Sequence, residues 1–262
     1  MLNYRKKNKE LFVIEEGTIK YQVGHYECLG KRKTMEDSTV IIGNLPIDSY
    51  IYFAIFDGHG GLKASQYAAR NVHESFKNHF TANQDSDILK ALDQGVQEVN
   101  NYLIQQWPSQ GSAVGIIIVS DEKVYSYNIG DVRAVMVYPD GDVERISHDH
   151  RANYPEEEKI IESLGGKVID DRLQGVFEVS RTLGDGQFKQ YICTEPFTSV
   201  KERVDGAKII LACDGVWDVM NDQTAAIIAQ QNDDPKVVAT EIVDQAIRSR
   251  TTDNVSCIVI NL

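Results

Sequence analysis

Hydrophobic and polar positions along the chain follow two patterns, one typical of strands and one typical of helices. Unbroken apolar runs of strand length occupy 50–56 and 208–213, and such runs favour strands that are buried on both faces. Between these runs, 87–107 carries apolar residues at three-to-four spacing, which predicts an amphipathic helix, as does 62–80. We therefore expect helices that pack on a buried sheet.

The same two patterns predict the remaining elements. Short strands are expected at 11–23, 26–29, 39–42 and 255–260, and shorter helices at 155–164, 222–231 and 235–250. Strands joined by turn-rich dipeptides predict an antiparallel meander at 114–119, 123–129, 133–138 and 143–146. Paired helices separated by antiparallel strands favour an α+β fold. We predict a four-layer α-β-β-α sandwich, with two mostly antiparallel sheets packed face to face and flanked by pairs of antiparallel helices.

Composition adds a constraint on the partners. The 262 residues include 42% hydrophobic and 25% charged positions, which is ordinary for a folded globular chain. There are 39 acidic residues against 27 basic ones, and the net charge of −12 repels a phosphate backbone. The composition therefore disfavours nucleic acid as a partner.

The cysteines and the apolar runs indicate a compartment. Four widely separated cysteines, without a C-x-x-C pair, are expected to be free thiols in a reducing environment. The start of the chain is polar and basic and no apolar run follows it, so we expect no secretory signal, and Leu2 disfavours myristoylation. No run approaches the roughly 20 apolar residues of a membrane span. A cytoplasmic or nuclear protein without a membrane partner is expected.

Carboxylates mark the ends of the predicted central strands. The two buried runs end in Asp57-Gly58 and Asp214-Gly215, and Asp253 stands just before the last strand. If that strand runs antiparallel to the other two, the three carboxylates share one edge, where they repel each other unless cations lie between them. Oxygen ligands select hard cations such as Mg²⁺ or Mn²⁺. Asp-Gly is also a common turn, so the pattern alone leaves the metal site and the simple turn open.

Other hydrolytic chemistries find little support. No cysteine is followed at the required spacing by the arginine of a cysteine phosphatase, and no G-x-x-x-x-G-K-[ST] phosphate loop is present. The run His59-Gly60-Gly61 lacks an accompanying G-x-S-x-G elbow, and the histidines are too scattered for a zinc centre.

Six segments stand in a recognisable order and spacing. They are GKRKTMED at 30–37, FDGHGG at 56–61, GDVRA at 130–134, VSRTLGD at 179–185, ACDGVWDV at 212–219 and TDNVS at 252–256. Together they resemble the protein phosphatase 2C-like metal-dependent phosphatases, the PPM family, from about residue 24 to the C-terminus. The resemblance implies one catalytic domain over 24–262, with a flap at about 154–190. The first 23 residues lie outside these motifs and form an N-terminal extension that can add an edge strand or contact a partner.

The resemblance also implies a set of metal ligands. Asp57 bridges two divalent cations, Mn²⁺ or Mg²⁺. Asp214 and Asp253 complete one of the two sites. The backbone carbonyl of Gly58 and the side chain of Glu36 serve the other, partly through water.

Three further carboxylates match family positions. Asp37 helps to hold the same water shell, or acts as a structural carboxylate that orients its neighbours. Asp149 and Asp218 can hold a weaker third cation together with Asp214. Asp149 is equally a turn residue, and Asp218 a helix N-terminal acid, so both alternatives stay open.

The activity that the resemblance implies is that of a metal-dependent serine/threonine protein phosphatase. A water between two cations loses a proton near neutral pH and attacks phosphorus directly, without a phospho-enzyme. Arg32 is suited to grip two phosphate oxygens, and His59 to protonate the leaving oxygen. A merely basic turn for Arg32 and a surface-loop histidine for His59 are the alternatives. Bound cations would also offset the net charge of −12, which otherwise repels an anionic substrate.

The expected partners are phosphorylated proteins, and a monomer is expected, with a dimer left open. A phosphatase-fold binding module of weak activity and a hydrolase of small phosphoesters are the two rival functions. The presence of all the predicted carboxylates favours an active enzyme over the binding module. Three positions depart from the family pattern: Gln110 to Ala113, Ala152 and Glu178. They put in question the local packing and the substrate surface of the flap.

Overall fold

The computed structural model describes residues 12–43, 45, 50–82 and 87–262. The strands are β1 (Val13–Glu16), β2 (Gln22–Cys28), β3 (Ser38–Ile42), β4 (Ile51–His59), β5 (Gly111–Val119), β6 (Lys123–Ile129), β7 (Arg133–Val137), β8 (Val143–Arg145), β9 (Val168–Ile169), β10 (Arg172–Leu173), β11 (Leu183–Gly184), β12 (Phe197–Glu202), β13 (Lys208–Ala212) and β14 (Val255–Asn261). The helices are α1 (Lys63–Ala82), α2 (Ile88–Gln106), α3 (Pro155–Ser163), α4 (Asp214–Trp217), α5 (Asp222–Gln230) and α6 (Pro235–Arg248).

Two sheets form the centre of the fold. The first has the order β1-β3-β4-β5-β6-β12, with β11 paired to β5, and the second has the order β2-β14-β13-β7-β8. Within the described residues, all strand pairs are antiparallel except β1 with β3, which run parallel at the edge of the first sheet. The central strands β4, β5, β13 and β14 are largely apolar and buried, as strands covered on both faces must be.

Three of the four hydrophobic clusters among the described residues define the four layers. In the first core, α1 and α2 cover the outer face of the first sheet, with Tyr52 and Leu103 buried between them. In the second, α4, α5 and α6 cover the outer face of the second sheet. The third core lies between the sheets, where Phe53 meets residues such as Leu211. The predicted α+β sandwich is therefore confirmed.

Local signals set the ends of the helices. The Asp87 side chain accepts a hydrogen bond from the Leu89 backbone at the start of α2, and Asn221 and Asp234 cap α5 and α6 in the same way. Pro155 stands at the first position of α3, where its fixed φ suits a helix start. The predicted helices are all present, within a few residues of their expected ends.

The predicted meander over 114–146 is wrong. Strands β5 and β6 pair in the first sheet, whereas β7 and β8 belong to the second. The chain crosses from one sheet to the other at Gly130, whose φ is +92° and where a Cβ would lie 2.5 Å from the Cβ of Ala113. Only glycine fits this close approach without strain. The crossing leaves Asp131 at the end of the sandwich, beside the strand-end carboxylates.

The single strand predicted over 11–23 is also wrong, because it is divided. Strand β1 ends before Gly17, whose φ is +76°, and β2 begins at Gln22. Residue 11 lies outside the described residues. The short strands β9 to β12 are too brief or too polar for their pattern to have predicted them. Among the described residues, no helix is long and apolar enough to cross a membrane.

Candidate metal centre

A cavity of about 840 Å³ opens at the end of the sandwich where β4 and β13 finish. Its wall carries most of the residues singled out from the sequence. They are Arg32, Glu36, Asp57, Gly58, His59, Asp214, Asp218 and Asp253. The structure thus brings together the ends of the two sheets, although Asp57 belongs to one sheet and Asp214 and Asp253 adjoin the other.

Three aspartates form the centre of this wall. Carboxylate oxygens of Asp57, Asp131 and Asp214 all lie within 4.8 Å of one another. Asp57 lies on β4 opposite Ala113, and Asp131 follows the glycine at the sheet crossing. Asp214 begins α4 directly after β13. Asp131 was missed from the sequence, although it lies in the GDVRA segment that supports the resemblance.

The carboxylates oppose each other's ionisation. Burial raises the pKa of Asp57 well above its usual range, and the charges of Asp37, Asp214 and Asp131 raise it further. Burial and the charge of Asp131 likewise raise the pKa of Asp214, and burial raises that of Asp131 to about 6. A divalent cation among these oxygens would remove the repulsion, and an all-oxygen donor set suits a hard cation. The residues therefore fit such an ion.

Glu36 and Gly58 meet in the cavity wall that also carries Asp57. The Glu36 carboxylate accepts hydrogen bonds from the Thr34 hydroxyl at 2.9 Å and from the Gly61 backbone at 3.2 Å. A Cβ on Gly58 would lie 2.4 Å from the backbone oxygen of Glu36 and 2.7 Å from Oγ of Ser65. Residue 58 must therefore be glycine for the two segments to pack this closely.

Asp37 lies beneath the cavity. Its side chain is 2% exposed, and Oδ2 accepts a hydrogen bond of 2.6 Å from the hydroxyl of Ser256. Burial raises the pKa of Asp37 to about 6. Its carboxylate lies close to the carboxylate of Asp57 and the thiol of Cys213, but Asp37 does not line the cavity. The neighbours Glu36 and Asp37 thus face different surroundings, as the alternation along an extended segment requires.

Asp253 holds Arg32 at the cavity mouth. Nη2 of Arg32 lies 2.5 Å from Oδ2 of Asp253, and 56% of the arginine side chain remains exposed. The next residue, Asn254, donates to the backbone oxygens of Leu29 and Thr34 and accepts from the Glu36 backbone. Asn254 therefore fixes the Arg32 to Glu36 loop against β14.

His59 has a buried partner that sequence reasoning missed. Nε2 of His59 lies 2.6 Å from Oδ2 of Asp185, which is 2% exposed and also accepts a hydrogen bond of 2.7 Å from Thr182. Asp185 has a φ of +47°, a conformation that most residues avoid. A Cβ on Gly111 would lie 2.0 Å from Oδ2 of Asp185. The site is thus shaped to leave room for this pair.

Asp149 is not part of the cavity wall. Its buried carboxylate accepts hydrogen bonds from Nε and Nη2 of Arg133, and Arg145 lies 3.8 Å away. The sequence-based placement of Asp149 beside Asp214 is therefore corrected: the structure puts Asp131 there instead. Asp149 follows β8, where it faces the cationic side chains of the second sheet rather than the end of the sandwich.

The flap contributes the outer wall. Arg172, Val176, Phe177 and Glu178 line the cavity. Glu178, which departs from the family pattern, ion-pairs with Arg172 and lies 3.3 Å from Nη1 of Arg151. Its carboxylate falls within 4.8 Å of those of Asp214 and Asp218. The departure thus adds a negative charge to the rim and removes none of the predicted ligands.

Comparisons with known proteins agree with this geometry. Residues 21–255 match the family model for Protein phosphatase 2C. The chain is 31% identical to Protein phosphatase 2C homolog 1 of Saccharomyces cerevisiae, over 93% of this chain and 94% of that protein. It is also 31% identical to Protein phosphatase 2C homolog 1 of Schizosaccharomyces pombe, over 88% of this chain and 70% of the relative.

Solved structures share the fold. A serine-threonine phosphatase 2C from Toxoplasma gondii superposes with a TM-score of 0.78 at 22% identity, over 92% of this chain and 94% of that one. A C. elegans sex determining protein gives a TM-score of 0.83 at 23% identity, over 92% of this chain and 64% of the other. The chain belongs to the protein phosphatase 2C family, and the resemblance found in the sequence is confirmed.

Proposed function

We propose that the chain is a metal-dependent serine/threonine protein phosphatase. The observation that supports this most is the meeting of Asp57, Asp214 and Asp253, from three distant parts of the sequence, on the wall of one cavity. The family match and the names of the similar yeast proteins point to the same activity.

The cofactor is a pair of Mn²⁺ or Mg²⁺ ions. Asp57 would bridge them, Asp214 and Asp253 would complete one site, and Glu36 with the carbonyl of Gly58 would serve the other. When bound, such ions make water a nucleophile near neutral pH and neutralise the phosphoryl oxygens. The all-oxygen donor set of Asp57, Asp131 and Asp214 supports hard divalent cations over zinc.

Arg32 binds and orients the phosphate. Its exposed guanidinium stands at the mouth of the cavity, with Asp253 as its anchor. Two parallel N–H donors match two phosphate oxygens, which fixes the phosphorus relative to the carboxylates behind it. This fork also supplies positive charge where an acidic chain would otherwise repel the substrate.

His59 supplies the proton that the leaving seryl or threonyl oxygen needs. Its Nε2 is engaged by Asp185, so Nδ1 is the ring nitrogen left for proton transfer. Because an alkoxide is a poor leaving group, an acid at this position accelerates the departure. The rings of Phe177 and His59 pack in an edge-to-face arrangement, with their centroids 5.4 Å apart.

The substrate class is phosphorylated protein rather than a small phosphoester. The cavity is open and large, and Val176 on its rim is 48% exposed, so a peptide segment can reach the phosphate site from outside.

The protein acts as a monomer in the cytoplasm or nucleus. Four free cysteines, of which three are buried, support a reducing compartment.

The direct experiment measures phosphate release from a phosphothreonine peptide with Mn²⁺ or Mg²⁺, with EDTA, and with Asp57→Ala. We expect metal-dependent release by the native chain and none in the other two samples. Release that survives both EDTA and the substitution contradicts the mechanism. A folded chain that binds Mn²⁺ but releases no phosphate supports the binding-module alternative instead, and release from p-nitrophenyl phosphate alone supports the small-phosphoester hydrolase.

A further inference from the structure

One arginine lies among Asp131, Asp214 and Asp218, beside two of the three acids to which the resemblance assigns a third cation. Nε of Arg151 lies 2.9 Å from Oδ2 of Asp131, and its Nη2 lies 2.6 Å from Oδ1 of Asp218. The same Nη2 lies 3.9 Å from Oδ2 of Asp214, and Nη1 lies 3.3 Å from Glu178. A single guanidinium therefore contacts four carboxylates.

Arg151 is largely buried, and backbone contacts hold it in place. It is only 17% exposed, and its backbone forms a bridge with Val179 at the base of the flap. The following residue, Ala152, donates a backbone hydrogen bond of 2.7 Å to the carbonyl of Glu178. These two backbone contacts join the segment of Arg151 and Ala152 to residues 178 and 179 of the flap, and they fix the position of the Arg151 backbone.

A second arginine, Arg133, pairs with a different set of acids. Arg133 binds Asp149 and Asp222, so neither of those acids is available to the cavity. The acids left beside Asp214 on this side are Asp131, Asp218 and Glu178, and Arg151 contacts all of them.

Charge and geometry then disfavour a third divalent ion. Oδ2 of Asp131 and Oδ1 of Asp218 already pair with the guanidinium, and an ion among these acids would lie beside a fixed positive charge. Arginine is permanently charged and its planar fork satisfies several oxygens at once. The residues of this side therefore do not fit an additional cation while Arg151 holds its place.

We infer that Arg151 is a built-in substitute for the third cation, so that this phosphatase binds two divalent ions and positions Asp131 and Asp218 with a guanidinium. The inference rests on the proposed function, because it takes the two-cation centre at Asp57 as given. It predicts that a third ion enters only when the arginine is removed.

The test counts bound Mn²⁺ in the metal-stripped full chain, by electron paramagnetic resonance of the free ion during titration. We expect two Mn²⁺ per native chain and three in Arg151→Ala, with the extra ion lost again in the Arg151→Ala, Asp131→Asn double variant. Arg172→Ala is the matched control: it removes a cavity-lining arginine that pairs with Glu178 and, among the described residues, with none of the aspartates of the cavity. It should keep two.

Three results would overturn the inference. They are a native chain that binds three ions and loses one in Asp131→Asn, a folded Arg151→Ala that still binds two, and a third ion that also appears in Arg172→Ala. Arg151→Gln, which keeps hydrogen-bonding capacity without charge, serves as the second variant if Arg151→Ala does not fold, and it should also bind three. A native chain that binds no Mn²⁺ defeats the proposed function itself, which separates the two failures.

Discussion

Nε2 of His59 lies 2.6 Å from Oδ2 of Asp185, a residue 126 positions further along the chain. The carboxylate fixes the orientation of the imidazole and leaves Nδ1 as the ring nitrogen for proton transfer. We expect Asp185→Asn to slow phosphate release more for leaving groups of high pKa. The loss should be about 10- to 100-fold for phenyl phosphate and smaller for p-nitrophenyl phosphate, because only the former needs an acid.

His59→Gln should show the same selective loss, and the double variant should add little to either single one. Thr182→Val, which removes only the second partner of Asp185, is the control and should leave the leaving-group dependence unchanged. Equal losses on both substrates in Asp185→Asn would mean that the carboxylate has only a structural role.

Gly111 leaves the room that this pair needs. A Cβ at that position would lie 2.0 Å from Oδ2 of Asp185 and 2.6 Å from Nε2 of His59. Gly111→Ala should therefore displace the imidazole and reproduce the leaving-group effect, while Mn²⁺ binding stays at the native level. The neighbouring Ser112→Ala, which removes a hydroxyl that donates to the backbone oxygen of Ala113, should behave like the native chain. Native kinetics in Gly111→Ala would show that the pair is not required.

Arg32 should act on the substrate rather than on the metal. Arg32→Lys keeps the charge but loses the bidentate fork, so kcat/KM for a phosphothreonine peptide should fall about 10- to 100-fold. The control is Lys31→Ala, which removes an adjacent exposed charge outside the cavity wall. Steady-state kinetics at saturating Mn²⁺ measures both. An unchanged kcat/KM in Arg32→Lys would assign this residue to a basic turn.

Glu27 gives the metal-free protein an unusual dependence on pH. It lies on β2 opposite Ser256, it is 2% exposed, and burial raises its pKa from 4.5 to about 8. The folded state therefore favours the protonated carboxyl, and the stability that this provides is complete below the unfolded pKa and is lost as pH rises through about 8. Between pH 6.5 and 8.5 the loss from this group should be about 2 kcal/mol.

Urea unfolding in EDTA at these two pH values measures this loss. The window avoids His150, because burial lowers its pKa to about 4 and its contribution changes only below about 6.5. Glu27→Gln should lose about 2 kcal/mol less than the native chain across the window, whereas the exposed Glu15→Gln should match the native chain. The same decline in Glu27→Gln and the native chain would contradict the assignment.

The strand-end acids could be predicted because an apolar run shows where a buried strand stops. Asp57 and Asp214 follow such runs directly, and the structure places both at the end of the sandwich. The helices were equally accessible from the sequence, since three-to-four spacing and caps such as Asp87 act locally.

Features that depend on tertiary packing could not be predicted from local sequence patterns. The turn at Gly130 reads like any other hairpin turn, and only the packing of two sheets makes it a crossing that places Asp131 in the cavity. Asp149 and Asp131 are both plain turn aspartates in the sequence. Arg133 on β7 pairs with Asp149, whereas Arg151 pairs with Asp131. No local pattern shows which arginine meets which acid.

The most direct test of the central claim compares two curves from one titration. Bound Mn²⁺ and the rate of phosphate release from a phosphothreonine peptide are recorded as the metal-stripped chain is titrated with Mn²⁺. We predict that the rate is zero without metal and rises together with filling of the Asp57 centre, and that Asp214→Asn shifts both curves to higher Mn²⁺ concentration. A rate that is already maximal before Mn²⁺ binds, or that is unchanged in Asp214→Asn while binding weakens, would contradict a catalytic metal centre formed by these carboxylates.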